Sequence, residues 1–93
     1  MHKVRLVKYI CFLGDPGIYV ALVKEIELPF IPYPELVLSD YRGFKIKTVE
    51  YFNKTQLFAC TCAQMNEWRK ELLDQTVDKY VSEGWRISRD TRS

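Results

Sequence analysis

Over the first two thirds of the chain, apolar residues either alternate with polar ones or gather in short β-branched blocks. Only the last third takes a helical rhythm. Residues 4–28 hold two runs rich in Val, Ile, Leu and Tyr on either side of Gly14-Asp15-Pro16-Gly17. Pro16 presets φ for the second position of a turn, and Gly17 suits the positive φ that follows in type II. Two β-prone runs around such a turn predict an antiparallel hairpin. In the first run Val4, Leu6, Ile10 and Phe12 share one phase, and Val7, Tyr9, Cys11 and Leu13 the other. A strand that is apolar in both phases needs cover on both faces, or a bulge that switches them. The second run ends more simply. Ile26 and Leu28 alternate with Glu25 and Glu27, which leaves one side wet.

Three prolines, Pro29, Pro32 and Pro34, then remove ladder donors and favour extended backbone. Residues 29–43 read as an ordered crossing that packs Phe30, Ile31 and Tyr33 onto the body, with a short strand at Leu36-Val37-Leu38 and a loop from Ser39 to Gly43. Residues 44–63 predict a second hairpin, turning at Asn53-Lys54-Thr55-Gln56. Phe44 and Ile46 lie in one phase and Val49 and Tyr51 in the other, which a bulge near Thr48 reconciles.

Met65, Trp68, Leu72, Leu73, Thr76, Val77, Tyr80 and Val81 recur at helical spacing and predict a helix over 66–83. Asn66 suits its N-cap, and Gly84 stands where a glycine commonly ends a helix. The apolar arc is wider than one sheet face covers. The opposite arc carries Glu67, Glu71, Asp74 and Asp78, while Arg69 snorkels from the first turn. In the tail, 84–93, Trp85-Arg86-Ile87 reads as a short edge strand or docked segment, and residues from Ser88 onward as frayed.

The expected fold class is therefore α+β in a single domain. A small antiparallel sheet of two hairpins and four to five strands, strongly bent or half-barrelled, packs on one C-terminal helix. A doubly wound parallel sheet is not expected, because no helix separates the strands. Composition agrees with a soluble globular chain: 93 residues, 47% apolar, 28% charged, net charge +2. No run nears the length of a membrane helix, and charge interrupts the N-terminal stretch, so neither membrane span nor signal peptide is expected. An odd number of cysteines, three, weighs against a disulfide scaffold and for a reducing, cytoplasmic setting.

Candidate chemistry is sparse. Cys60 and Cys62 project to one strand face and Cys11 could join them, but a spacing of one within a strand is not that of zinc sites, and thiols most often pack as small hydrophobes. The sole histidine, His2, sits too near the terminus to be held as a catalytic base. The helix acids read as a solvated face, and Glu50 as an edge position. Glycines flank turns rather than building a phosphate loop. No catalytic, cofactor or metal residues are thus expected.

Aromatics make up 14% of the chain. Tyr33, Tyr41, Tyr51 and Trp85 fall outside the core phases and, with Arg86 as polar anchor, form the expected protein-binding surface. The expected function is a non-enzymatic interaction module, a small regulatory or inhibitory protein acting through a sheet edge or aromatic patch. Its partner is another protein or a second copy in a homodimer. The alternative is single-stranded nucleic-acid binding through Lys45, Lys47, Tyr51, Arg86 and Arg89, which the low net charge disfavours.

Overall fold

β1 (His2–Phe12) and β2 (Asp15–Leu28) form the hairpin expected of residues 4–28, with only Leu13 and Gly14 between them. The structure is a computed structural model that describes residues 1–92. The turn is tighter than the Pro16-Gly17 reading. Neither Gly14 nor Gly17 takes a positive φ. Instead the Asp15 carboxylate accepts the Gly17 N–H at 2.9 Å, and both residues enter the strand. Gly14 is needed for space: a Cβ there would stand 2.7 Å from Cζ of the Phe12 ring.

The chain divides into two compact units, and both strands contribute to each. The first comprises Met1–Val7 and Glu25–Ala63. Here β3 (Val37–Leu38) pairs antiparallel with β4 (Phe44–Lys45), and β5 (Thr48–Phe52) pairs antiparallel with β6 (Leu57–Thr61). The strand order is β5-β6-β1-β2. β6 runs parallel to β1, from Lys3↔Leu57 to Val7↔Thr61. The sheet is therefore mixed, not wholly antiparallel as expected. A parallel neighbour needs a long crossover, and the proline crossing with β5 supplies one without a helix. The strand expected from Phe44 to Phe52 divides, because the chain changes partners. Ile46 N–H donates to Leu36 O, and Lys47 N–H to Thr61 O.

Pro34 opens a tight turn in the crossing, closed by Leu36 N–H to Tyr33 O at 3.3 Å. Glu35 occupies the position that favours glycine, at φ 76. A non-glycine there costs about 1 kcal/mol. It is offset by Glu35 N–H to Ile46 O at 2.7 Å and by an ion pair with Lys45 at 2.9 Å. Pro32 is buried while Phe30, Ile31 and Tyr33 are exposed, the reverse of the expected packing. The core of this unit is Val4, Leu6, Ile26, Leu28, Leu38, Phe44, Ile46, Leu57 and Cys60.

The second unit comprises Lys8–Lys24 and the chain from Gln64 onward. β7 (Met65–Glu67) runs parallel to β1 from Ile10↔Met65 to Phe12↔Glu67. β8 (Arg86–Asp90) pairs antiparallel with β2, with an irregularity at Ala21/Leu22. Val20, Ala21, Leu22 and Val23 are buried in succession, so β2 is covered on both faces there. The tail does not fray at Ser88. Thr91 Oγ1 accepts the Tyr19 N–H at 2.8 Å, Thr91 N–H donates to Tyr19 O, and Arg92 bridges Asp74 and Asp90. The last residue lies outside the described chain.

The helix, α1, spans Lys70–Ser82 rather than 66–83. Asn66 is not its cap: it pairs with Cys11 in β7, and Arg69 precedes the helix without a capping side chain. Removing Met65 and Trp68 from the helix narrows its apolar arc to the buried Leu73, Val77 and Tyr80; Trp68 is 68% exposed. The C-terminus follows the Gly84 expectation closely. Gly84 takes φ +94, its N–H donates to Val81 O, and Trp85 N–H donates to Tyr80 O, the paired bonds of a Schellman motif. A Cβ at Gly84 would also meet Lys24 Nζ at 2.8 Å, where that ammonium donates to Glu83 O. Gly84→Ala is expected to cost about 1–2 kcal/mol, read as a lower urea midpoint at unchanged slope.

Candidate functional site

In the first unit the sheet ends at β5, which is paired on one side only. The residues that place it are ordinary. Thr48-Val49-Glu50-Tyr51-Phe52 is β-branched and aromatic, and Gln56 at φ 53 closes the turn to β6. The register sets Val49 opposite Cys60 and Tyr51 opposite Phe58, hence on the face of Val4 and Leu6. Glu50 and Phe52 take the other face, with Ala59 and Leu57 opposite.

Tyr51 and Phe52 are 46% and 43% exposed. Tyr51 leans on Phe58 with ring centroids 4.6 Å apart, and His2 meets Phe58 edge-on at 5.8 Å. These rings, with Met1, Lys3, Thr55 and Gln56, line an open pocket of about 210 Å³. Lys47 precedes the strand and Lys54 follows it, both exposed, with Glu50 between them. Among the described residues none of these three has an ion-pair partner.

Two other open strand segments are charged. β8 carries Arg86, Arg89 and Asp90, and the end of β2 carries Glu25 and Glu27. Charges along an edge hinder pairing with a further strand. Among the strands of five residues or more, β5, with Glu50 alone, is the least guarded edge; β3 and β7 are only two and three residues long.

The chain was compared with known protein families, characterised proteins and solved structures. None matches. What the side chains do must then be read from their placement.

Of the expected binding surface, Tyr33 (55% exposed), the half-buried Tyr41 and Tyr51 lie in the first unit. Arg86 is exposed in the second. Trp85 is 3% exposed and so leaves that surface. It packs edge-on to Tyr80 with centroids 5.3 Å apart, as the residue after a Schellman glycine often does. Among the alternative residues Lys45 is held by Glu35, whose carboxylate raises the lysine's pKa, and Arg89 lies over the Tyr19 ring at 5.9 Å. Sequence reasoning missed Phe52, Phe58 and Lys54. The readable signal for Lys54 was its place in the turn next to an aromatic strand.

Two of the three thiols are buried. Cys60 is fully buried and burial pushes its pKa up to about 11; burial also raises Cys11. Among the described residues the cysteines are free, and no three His, Cys, Asp or Glu side chains gather as metal ligands. Two acids of the second unit share one arginine: Arg92 contacts Asp90 at 2.7 Å and Asp74 at 3.0 Å, and holds Asp90 below its usual range. No helix of the described residues is long and apolar enough to cross a membrane.

Proposed function

We propose that the protein is a non-enzymatic interaction module, a small regulatory or inhibitory protein of a reducing, cytoplasmic compartment, that takes up an extended segment of a partner along β5. The observation that carries this reading is the contrast between edges. β5 offers Val49, Tyr51 and Phe52 with one charge over five residues, whereas β8 carries three and the open end of β2 two, and β3 and β7 are only two and three residues long. An added strand gains main-chain hydrogen bonds along the edge, and side chains on alternate faces supply selectivity. Tyr51 and Phe52 point to opposite faces and can grip such a strand from both sides. Buried thiols of raised pKa make poor nucleophiles, which suits a protein without covalent chemistry.

Nucleic-acid binding has less support. Of its residues Lys45 is ion-paired, Arg89 covers Tyr19, and Arg86 and Arg89 belong to a different unit from Lys47 and Tyr51.

Selection of extended peptides against the folded protein tests the proposal. Selected binders are expected to slow amide exchange across residues 48–52. Tyr51→Lys/Phe52→Lys should weaken them by about tenfold or more while leaving the circular dichroism unchanged. Binders that protect other residues and ignore the double substitution would overturn it.

A further inference from the structure

We infer that the segment taken up by β5 is acidic at both ends: a short apolar, β-prone core with carboxylates flanking it. This rests on the strand-addition reading and adds the chemistry of the partner. Lys47 stands immediately before β5 and Lys54 two residues after it, both exposed and without an ion-pair partner among the described residues. Lys3 lies beside Tyr51 in the pocket at the far end of the strand. The five residues of β5, which lie between these two lysines, carry one charge, Glu50, at their centre. A strand laid along this edge therefore meets Val49, Tyr51 and Phe52 around one central carboxylate, and a cation at each end. Carboxylates there steer encounter and fix register, while lysines there face like charge.

The same pattern argues against a second copy as occupant. Antiparallel self-pairing with full overlap of residues 48–52 sets Glu50 opposite Glu50 of the other chain, and like charges directly opposite destabilise a strand pair. Lysines beside an edge also discourage edge-to-edge association. The edge is thus poorly matched to itself and well matched to an acidic segment.

Two synthetic peptides share one β-prone core; one has paired glutamates at each end, the other paired lysines. Titrated into the full chain at low salt, the glutamate peptide is expected to bind about tenfold or more tightly than the lysine peptide. It should slow amide exchange at residues 48–52 and lose its advantage as salt rises. Lys47→Glu/Lys54→Glu should reverse the preference without altering the fold. If both peptides protect β5 equally, the acidic partner is wrong and strand addition stands. If neither protects β5, strand addition itself falls. Protection of β5 that rises with protein concentration alone would make a second copy the occupant and overturn the inference. Tight, salt-sensitive binding of oligothymidylate in place of the glutamate peptide would overturn it in favour of nucleic acid.

Discussion

Trp85→Ala is expected to destabilise the protein by about 3–5 kcal/mol, the range for removing a large buried aromatic. The indole is 3% exposed and crosses the Tyr80 ring at 87° with centroids 5.3 Å apart. Tyr80 is itself 4% exposed. Truncation therefore opens a cavity and removes an edge-to-face pair worth about 1 kcal/mol beyond its area. It also strips the hydrophobic contact that accompanies the helix-terminating bonds from Trp85 and Gly84. Trp85→Phe keeps a ring against Tyr80 and should lose less. Denaturant unfolding followed by circular dichroism gives the magnitude, and fluorescence gives the location. Trp68 is 68% exposed, so Trp85→Ala should leave only red-shifted, solvent-type emission. A loss within about 0.5 kcal/mol, the usual size for a surface position, would put Trp85 back on the outside.

Trp85 also shows where the sequence was only partly legible. Trp85-Arg86-Ile87 reads as a short edge strand or docked segment and the residues from Ser88 onward as frayed, because local pattern does not show how far a strand pairs with residues far away along the chain. β8 forms by pairing Arg86–Asp90 with Val20–Val23, and its own residues are polar apart from Ile87, with none of the five buried. Parallel pairing was equally hidden. β6 and β7 both lie along β1, but nothing in Leu57–Thr61 or Met65–Glu67 encodes direction. Direction is decided by how the crossing returns the chain. What depends on local chemistry was legible: the first hairpin, the polar turn at 53–56, the short strand at Val37–Leu38 and the glycine that ends α1. The expected helix ran too long because Met65 and Trp68 happen to fit its spacing, whereas strand pairing with Ile10 claims Met65.

The candidate site was legible in part for the same reason. Tyr51 was expected outside the core from its phase, and it lies at the rim of the sheet. Which strand is outermost is a property of topology. β5 becomes the edge because β6 inserts between it and β1. That insertion also covers one flank of β5 and leaves the other open, so the crossover that made the sheet mixed is what exposes the surface proposed to act. The turn and partner switch that bound β5 also place Lys54 and Lys47 at its two ends.

The thiol beneath this edge gives a second large effect, readable against pH. Cys60 is fully buried, opposite Val49 of β5 and Leu6 of β1, and burial lifts its pKa from 9.0 to about 11. In the unfolded chain the thiol ionises near its ordinary value, so between about pH 9 and 11 the unfolded state holds fewer protons than the folded one. Stability must then fall as pH rises through that window. Two units correspond to about 3 kcal/mol. Cys60→Ala cannot make this contribution. Its cost relative to the natural chain should be largest near pH 8 and shrink by about 2 kcal/mol by about pH 10.5, whatever the lysines and tyrosines do in both proteins. Cys11, whose pKa burial also raises, is present in both and cancels. Paired urea melts of the two chains at pH 8 and 10.5 make the measurement. A constant gap would mean that the thiol titrates as if in water, and that the sheet face carrying Val4, Leu6 and Cys60 is not closed off from solvent.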